Sequence, residues 1–186
     1  MHSLTNERVI SVVSVKTLTT FSVRGRILKL KIYEIDATYL AYMKSYAEHV
    51  FYDSKDKSSR KYIGIILEIE GVKYFAPLSS FKNKHKKMDE GVDFIKIKDY
   101  AVININNMIP VPEGCYHLVD VNGEKDPHYK YLLQAEAREI NRQKNRIVKN
   151  AGIVRSHKIA KENTTSLGKR CNDFISLEDA CKNYSK

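Results

Sequence analysis

Apolar positions recur along this chain with a period of two through its first two-thirds and with a period near 3.6 thereafter. Leu28, Leu30 and Ile32 alternate with polar neighbours and predict a strand that Tyr33, Glu34 and Ile35 complete. Asp36 stands where a helix cap is expected, because Tyr39, Leu40, Met43, Ala47 and Val50 then fall on one helical face. A polar loop from Tyr52 to Lys61 brings Arg60 to the next strand. Tyr62–Ile69 is an apolar β-branched run, Glu70-Gly71 a turn dipeptide, and Val72–Leu78 a second run, which together predict a hairpin. Pro77 has no N–H to donate, so the second strand is expected to end there.

Beyond a turn at Met88–Gly91, two further strands are predicted over Asp93–Lys98 and Tyr100–Ile105, and Asn106–Pro112 and Cys115–Asp120 extend the sheet. Asn122-Gly123 reads as a turn. Tyr129–Lys149 then predicts one long helix, apolar at Tyr131, Leu132, Leu133, Ala135, Ile140 and Ile147-Val148 and ended by Gly152. A shorter basic helix is expected over Ile153–Glu162, and a last one opening at Ser176 and running to Tyr184. The predicted class is α+β: a twisted, mostly antiparallel sheet packed with helices, with a long basic helix in the C-terminal third. No period of 20 to 50 residues suggests repeats.

At 186 residues the chain is expected to hold one domain over 28–186. Residues 1–27, rich in Ser and Thr, read as an extension, either a poorly ordered arm or a start codon set too far upstream. The charged pair Glu7-Arg8 ahead of a short apolar run does not make a secretory signal. The longest apolar runs fall well short of the ~20 residues that a membrane span requires. Three cysteines, Cys115, Cys171 and Cys181, show neither a close pair nor metal-ligand spacing, so a reducing cytoplasm is the expected compartment, with no metal or other cofactor.

The net charge is +10, and its distribution says more than its size. Residues 55–98 carry 11 Lys and Arg against 6 Asp and Glu, and residues 130–186 carry 13 against 6, whereas 99–129 are net acidic. A basic groove between the hairpin rim and the C-terminal helices is therefore expected, suited to a polyanion. Ser79, Ser80, Lys82, Lys84, His85, Lys86 and Lys87 follow the hairpin directly. So many ammonium groups cannot be buried unpaired, which puts the segment at the sheet's rim. A solvated turn would look the same in sequence.

The stretches Tyr62-Ile-Gly-Ile-Ile-Leu-Glu-Ile and Lys73-Tyr-Phe-Ala-Pro-Leu-Ser-Ser-Phe-Lys82 resemble the signature hairpin of the ToxN/AbiQ family, endoribonuclease toxins of type III toxin–antitoxin systems. Asn107-Met-Ile-Pro-Val is similar to a further family segment, and the likeness covers roughly residues 29–184. The resemblance implies a metal-independent, sequence-specific endoribonuclease that leaves 2′,3′-cyclic phosphate and 5′-hydroxyl ends. It places Ser80 and Lys82 at catalytic positions, Ser79 as the neighbouring hydroxyl, and Arg60 as the preceding cation, where the family more often has Lys; Lys61 is the weaker substitute. It also implies a pseudoknotted repeat RNA antitoxin processed by the toxin, cyclic protein–RNA assemblies, cellular or phage RNA substrates, and a part in abortive infection.

Chemically, Lys82 and Arg60 suit stabilisation of charge on a phosphorane, and Ser80 suits orientation of the attacking 2′-oxygen, since an unperturbed hydroxyl is too weak a base. The candidate RNA contacts are Lys61, Lys84, His85, Lys86 and Lys87 at the rim, with Arg138, Arg142, Lys144, Arg146 and Lys149 on the long helix and the basic stretch Arg155–Lys169 beyond it. Two rival readings fit the same residues. Glu68 and Glu70 share a strand face and offer carboxylates to a metal-dependent nuclease, and twelve Tyr among many cations also fit an RNA-binding module without catalysis.

Overall fold

The computed structural model describes residues 29–50 and 60–185; the expected extension over 1–27 and most of the polar loop lie outside the described residues. The alternating segments become strands β1 (Lys31–Ile35), β2 (Lys61–Ile69), β3 (Val72–Ser80), β4 (Phe94–Ile97), β5 (Ala101–Asn104), β6 (Ile109–Pro110) and β7 (Tyr116–Leu118). They lie in the order β4-β5-β3-β2-β1-β7 with β6 also beside β3, and every recorded pairing is antiparallel. The class is α+β, as the periodicity predicts.

The central hairpin is buried on both faces, which is why its strands read as nearly continuous apolar runs. Successive strand residues point to opposite sides. Ile63, Tyr74, Ala76 and Leu78 enter a core completed by Leu133, Ile140, Ile147, Ala151 and Val154. Tyr62 and Phe75 enter the other, with Tyr39, Leu40, Met43, Leu177 and Ala180. The helices α3 (Pro127–Arg142) and α4 (Lys144–Lys161) cover the first face, and α1 (Ala37–Lys44) and α6 (Phe174–Lys182) the second.

Several features differ from the sequence reading. β3 does not stop at Pro77 but runs on to Ser80. Pro77 lies between Phe75, where pairing with β6 ends, and Leu78, where pairing with β5 begins, so a missing donor interrupts neither ladder. The Lys run is a one-turn helix, α2 (Asn83–Lys86), instead of a loop. α1 ends at Lys44, although Val50 still reaches the core through a turn. Asp36 occupies the cap position, but its carboxylate meets His117 Nε2 at 2.8 Å and caps nothing with its side chain.

The long basic helix is two helices broken at Gln143, and Gly152 lies inside α4 instead of ending a helix; the short helix expected over 153–162 is α4's second half. Gln143 Nε2 donates to the Lys96 carbonyl at 3.1 Å and to Glu139 Oε1 at 3.1 Å, so its side chain ties the break to β4. The bend aims Ile147, Ala151 and Val154 at the core that Leu133 and Ile140 already enter. The last helix starts before Ser176: Asp173 is its cap, accepting from the Ser176 N–H, and Phe174 is fully buried. Between α4 and α6, α5 (Ser166–Arg170) is capped by Thr165.

Candidate active site

Antiparallel pairing gathers one end of the sheet into a single rim. The β2–β3 register sets Tyr62 opposite Pro77, so Arg60 and Lys61 at the start of β2 lie beside Ser79 and Ser80 at the end of β3. Ser80 is in turn paired with Ala101, and the Phe81 N–H donates to the Tyr100 carbonyl at 3.1 Å, which adds the β4–β5 turn to the same rim. Residues far apart in sequence thus meet because their strands end together.

The hairpin's composition is what allows this. Gly64 is needed because an added Cβ would stand 2.2 Å from the ring of Phe75, and that ring is wedged against Tyr33 and Tyr116. At the far end, Glu70 and Gly71 take positive φ of 51° and 81° and close the two-residue turn.

Ser79 and Ser80 are consecutive strand residues, so their hydroxyls leave opposite faces. Ser79 shares its face with Phe75 and Pro77, and its Oγ accepts from Arg60 Nη1 at 3.3 Å. Partial burial pulls the Arg60 guanidinium below its ordinary pKa, with Tyr62 opposing the shift, and it stays a cation at any working pH. Ser80 is exposed on the other face. Lys82 is exposed and its backbone is extended, with φ −126° and ψ 160°, so it follows Ser80 after one intervening residue.

His85, expected as an RNA contact at the rim, is buried and fixes the Lys82 turn instead. It is 6% exposed, its Nδ1 accepts from the Lys82 backbone N–H at 3.0 Å, and its backbone N–H donates to the Lys82 carbonyl at 2.8 Å. The ring packs between Phe81 and Phe94, with centroids at 5.6 and 5.8 Å. Burial, then Lys84, Lys82 and Lys96, hold its pKa below the usual histidine value, which keeps Nδ1 free to accept. Sequence reasoning missed this role, although His three residues after the turn's first residue, between two Phe, was the available signal.

The other candidate contacts separate by what they already bind. Lys84, Lys86, Lys87, Arg138 and Lys149 are exposed. Lys61 is half-buried and paired with Glu34. Arg142 Nε lies 3.4 Å from Glu139, and Arg146 Nη1 3.1 Å from Glu90. Lys144 is half-buried. Within the basic stretch beyond, Arg155 is internal: it grips Glu178 with two hydrogen bonds at 2.7 and 2.9 Å, and Tyr74 Oη donates to the same carboxylate. Lys158 is buried too, donating to the Gly168 carbonyl at 3.0 Å.

The sequence profile described as "Toxin ToxN, type III toxin-antitoxin system" matches residues 31–182. The chain belongs to that family. The matched span begins and ends with the described domain, from β1 to α6. Endoribonuclease ToxN of Pectobacterium atrosepticum is 29% identical over 170 residues, covering 84% of this chain and 95% of that protein. A solved structure in which a processed non-coding RNA regulates a bacterial antiviral system is 25% identical with a TM-score of 0.73, covering 84% of this chain and 99% of that one. A second, concerned with selective toxin inhibition by a non-coding RNA pseudoknot, is 25% identical with a TM-score of 0.70 and covers 84% and 98%. Among the described residues no helix is long and apolar enough to cross a membrane.

Proposed function

We propose that this chain is a metal-independent, sequence-selective endoribonuclease toxin in which the RNA's own 2′-hydroxyl attacks the adjacent phosphate. The nucleophile and the leaving group both belong to the substrate, so the protein has only to align the attack, offset charge on the phosphoryl oxygens and manage two protons. The observation that carries the reading is the rim itself, where Arg60 and Ser79 are hydrogen-bonded at the ends of two paired strands, with Ser80 next in the strand and Lys82 just beyond.

In this scheme Ser80 hydrogen-bonds the reacting oxygens, and Lys82, an unburied point charge on the same backbone stretch, attracts the scissile phosphate. Arg60 adds a planar guanidinium from the other face, and Ser79 positions it by accepting from Nη1. The carboxylates that would favour a metal-dependent mechanism lie badly for it. Glu70 is in the hairpin turn and Glu68 faces Lys73, seven strand residues from Ser80, roughly 23 Å away at the usual strand rise.

Inhibition by an RNA pseudoknot and a role in antiviral defence, as in the two similar structures, extend to this chain as part of the proposal, and a repeat RNA held in a closed protein–RNA assembly and action against phage are proposed with them. These suit a rim and helix surface rich in unburied Lys and Arg. The test is cleavage of cellular RNA in EDTA with mapping of the new ends. Cyclic-phosphate ends that vanish in Ser80→Ala and Lys82→Ala are the expected result. Cleavage that needs a divalent ion, or that survives Ser80→Ala undiminished, overturns the scheme, and tight binding with no cleavage by the unaltered protein shows a binding module instead.

A further inference from the structure

An open groove of about 360 Å³ lies beside the rim, between the β4–β5 turn and α3. Lys98 and Tyr100 form one wall, and Tyr131, Arg138 and Arg142 the other, with Glu139 between them. Tyr131 is 64% exposed. The apolar spacing of the sequence put Tyr131 on the helix's core side, but its ring stands in the groove instead.

We propose that this groove holds an unpaired RNA base, stacked on Tyr131 and bordered by Tyr100, while Lys98 and Arg138 take the flanking phosphates; the inference rests on the nuclease reading of the rim. Three observations support it. Tyr100 is joined to the rim through its carbonyl, which accepts from the Phe81 N–H at 3.1 Å, and its neighbour Ala101 is paired with Ser80, so a strand leaving Ser80 meets the groove next. Lys98 already sits with its Nζ 5.9 Å from the centroid of the Tyr100 ring, a cation on an aromatic face. Lys98 also holds φ +52° at a turn position that glycine would occupy with less strain.

Charge favours an anion over a neutral protein segment, and the exposed tyrosine ring favours a nucleic-acid base over an acidic peptide. Glu139 is engaged by Arg142 at 3.4 Å and by Gln143 at 3.1 Å. Among the described residues no carboxylate lies within ion-pair distance of Lys98 or Arg138, so the two outer positions of the groove stay cationic. The exposed face of Tyr131 between two cations matches a base between two phosphates, and the base must be unpaired because a duplex hides its face.

The probe is a fluorescein-labelled, random-sequence 12-mer of 2′-fluoro RNA, which lacks the attacking hydroxyl and reports binding without cleavage. Tyr131→Ala is expected to weaken its binding roughly 5- to 100-fold, with thermal stability unchanged, while Tyr131→Phe binds as the unaltered protein does. Lys98→Gly, which suits the backbone, is expected to lower the slope of log affinity against log salt by about 0.7. The proposal fails if Tyr131→Ala leaves affinity unchanged, if Tyr131→Phe loses as much as Tyr131→Ala, or if polyglutamate or duplex RNA displaces the probe as well as single-stranded RNA does. The two readings separate cleanly: cyclic-phosphate ends with an unaltered Tyr131→Ala affinity remove only the groove, and Tyr131-dependent binding without any cleavage removes only the nuclease.

Discussion

At the scale of single residues, two positions in the motif region are explained by what surrounds them. Gly64 lies where the β2–β3 register shifts, and packing accounts for it: its missing Cβ is the space that the Phe75 ring fills. Gly64→Ala is therefore expected to destabilise the fold by about 1–3 kcal/mol through overpacking, read as a drop in the chemical-denaturation midpoint; an unchanged midpoint would show that the ring can move. His85 makes a pH prediction. Its folded pKa lies below the ordinary 6.5, so between those values the unfolded chain binds a proton that the folded one refuses. Stability from this site is complete above about pH 6.5 and is lost as the pH falls through the window beneath it. Melting temperatures between pH 7.5 and 5 should fall more steeply in the unaltered protein than in His85→Gln. Lys82, Lys84 and Lys96 all act in the same direction on that ring.

At the scale of elements, the hairpin was legible because its residue types are those of strands and its turn is Glu-Gly; nothing non-local was needed to find it. The C-terminal helices were not legible in the same way. Their 3.6-residue pattern continues across Gln143, and only the tie to the Lys96 carbonyl shows that the helix must bend to keep both halves on one core. Nor could sequence separate the basic residues that face solvent from those that hold elements together. Arg155 reads like its neighbours, yet with Glu178 and Tyr74 it joins α4, α6 and β3. Removing one member leaves a buried charge without its partner, so Arg155→Ala is expected to cost about 3–5 kcal/mol. Lys84→Ala, at an exposed site, should change stability by no more than about 0.5 kcal/mol. Equal losses in the two variants under urea would contradict this division of the cations.

At the scale of the whole molecule, the uneven charge distribution and the sheet topology act together. The rim, α2 and the outward faces of α3 and α4 carry unburied Lys and Arg, and each phosphate that they neutralise releases counterions. RNA affinity is accordingly expected to fall by orders of magnitude between low and moderate salt, measured by anisotropy across a salt series; a flat profile would rule out a backbone-tracking surface.

Local pattern was enough to determine the α+β class and the hairpin, because each follows from neighbours in sequence, while the four proposed site residues were legible only through the resemblance of the hairpin motif to the family. Tertiary structure alone decided that Ser79 turns toward Arg60 while Ser80 faces away, that His85 is a buried lock, that Arg155 is internal, and that Tyr131 stands in a groove. These depend on which strands end together and which helix face a bend presents, and such relations join residues tens of positions apart that no local period records.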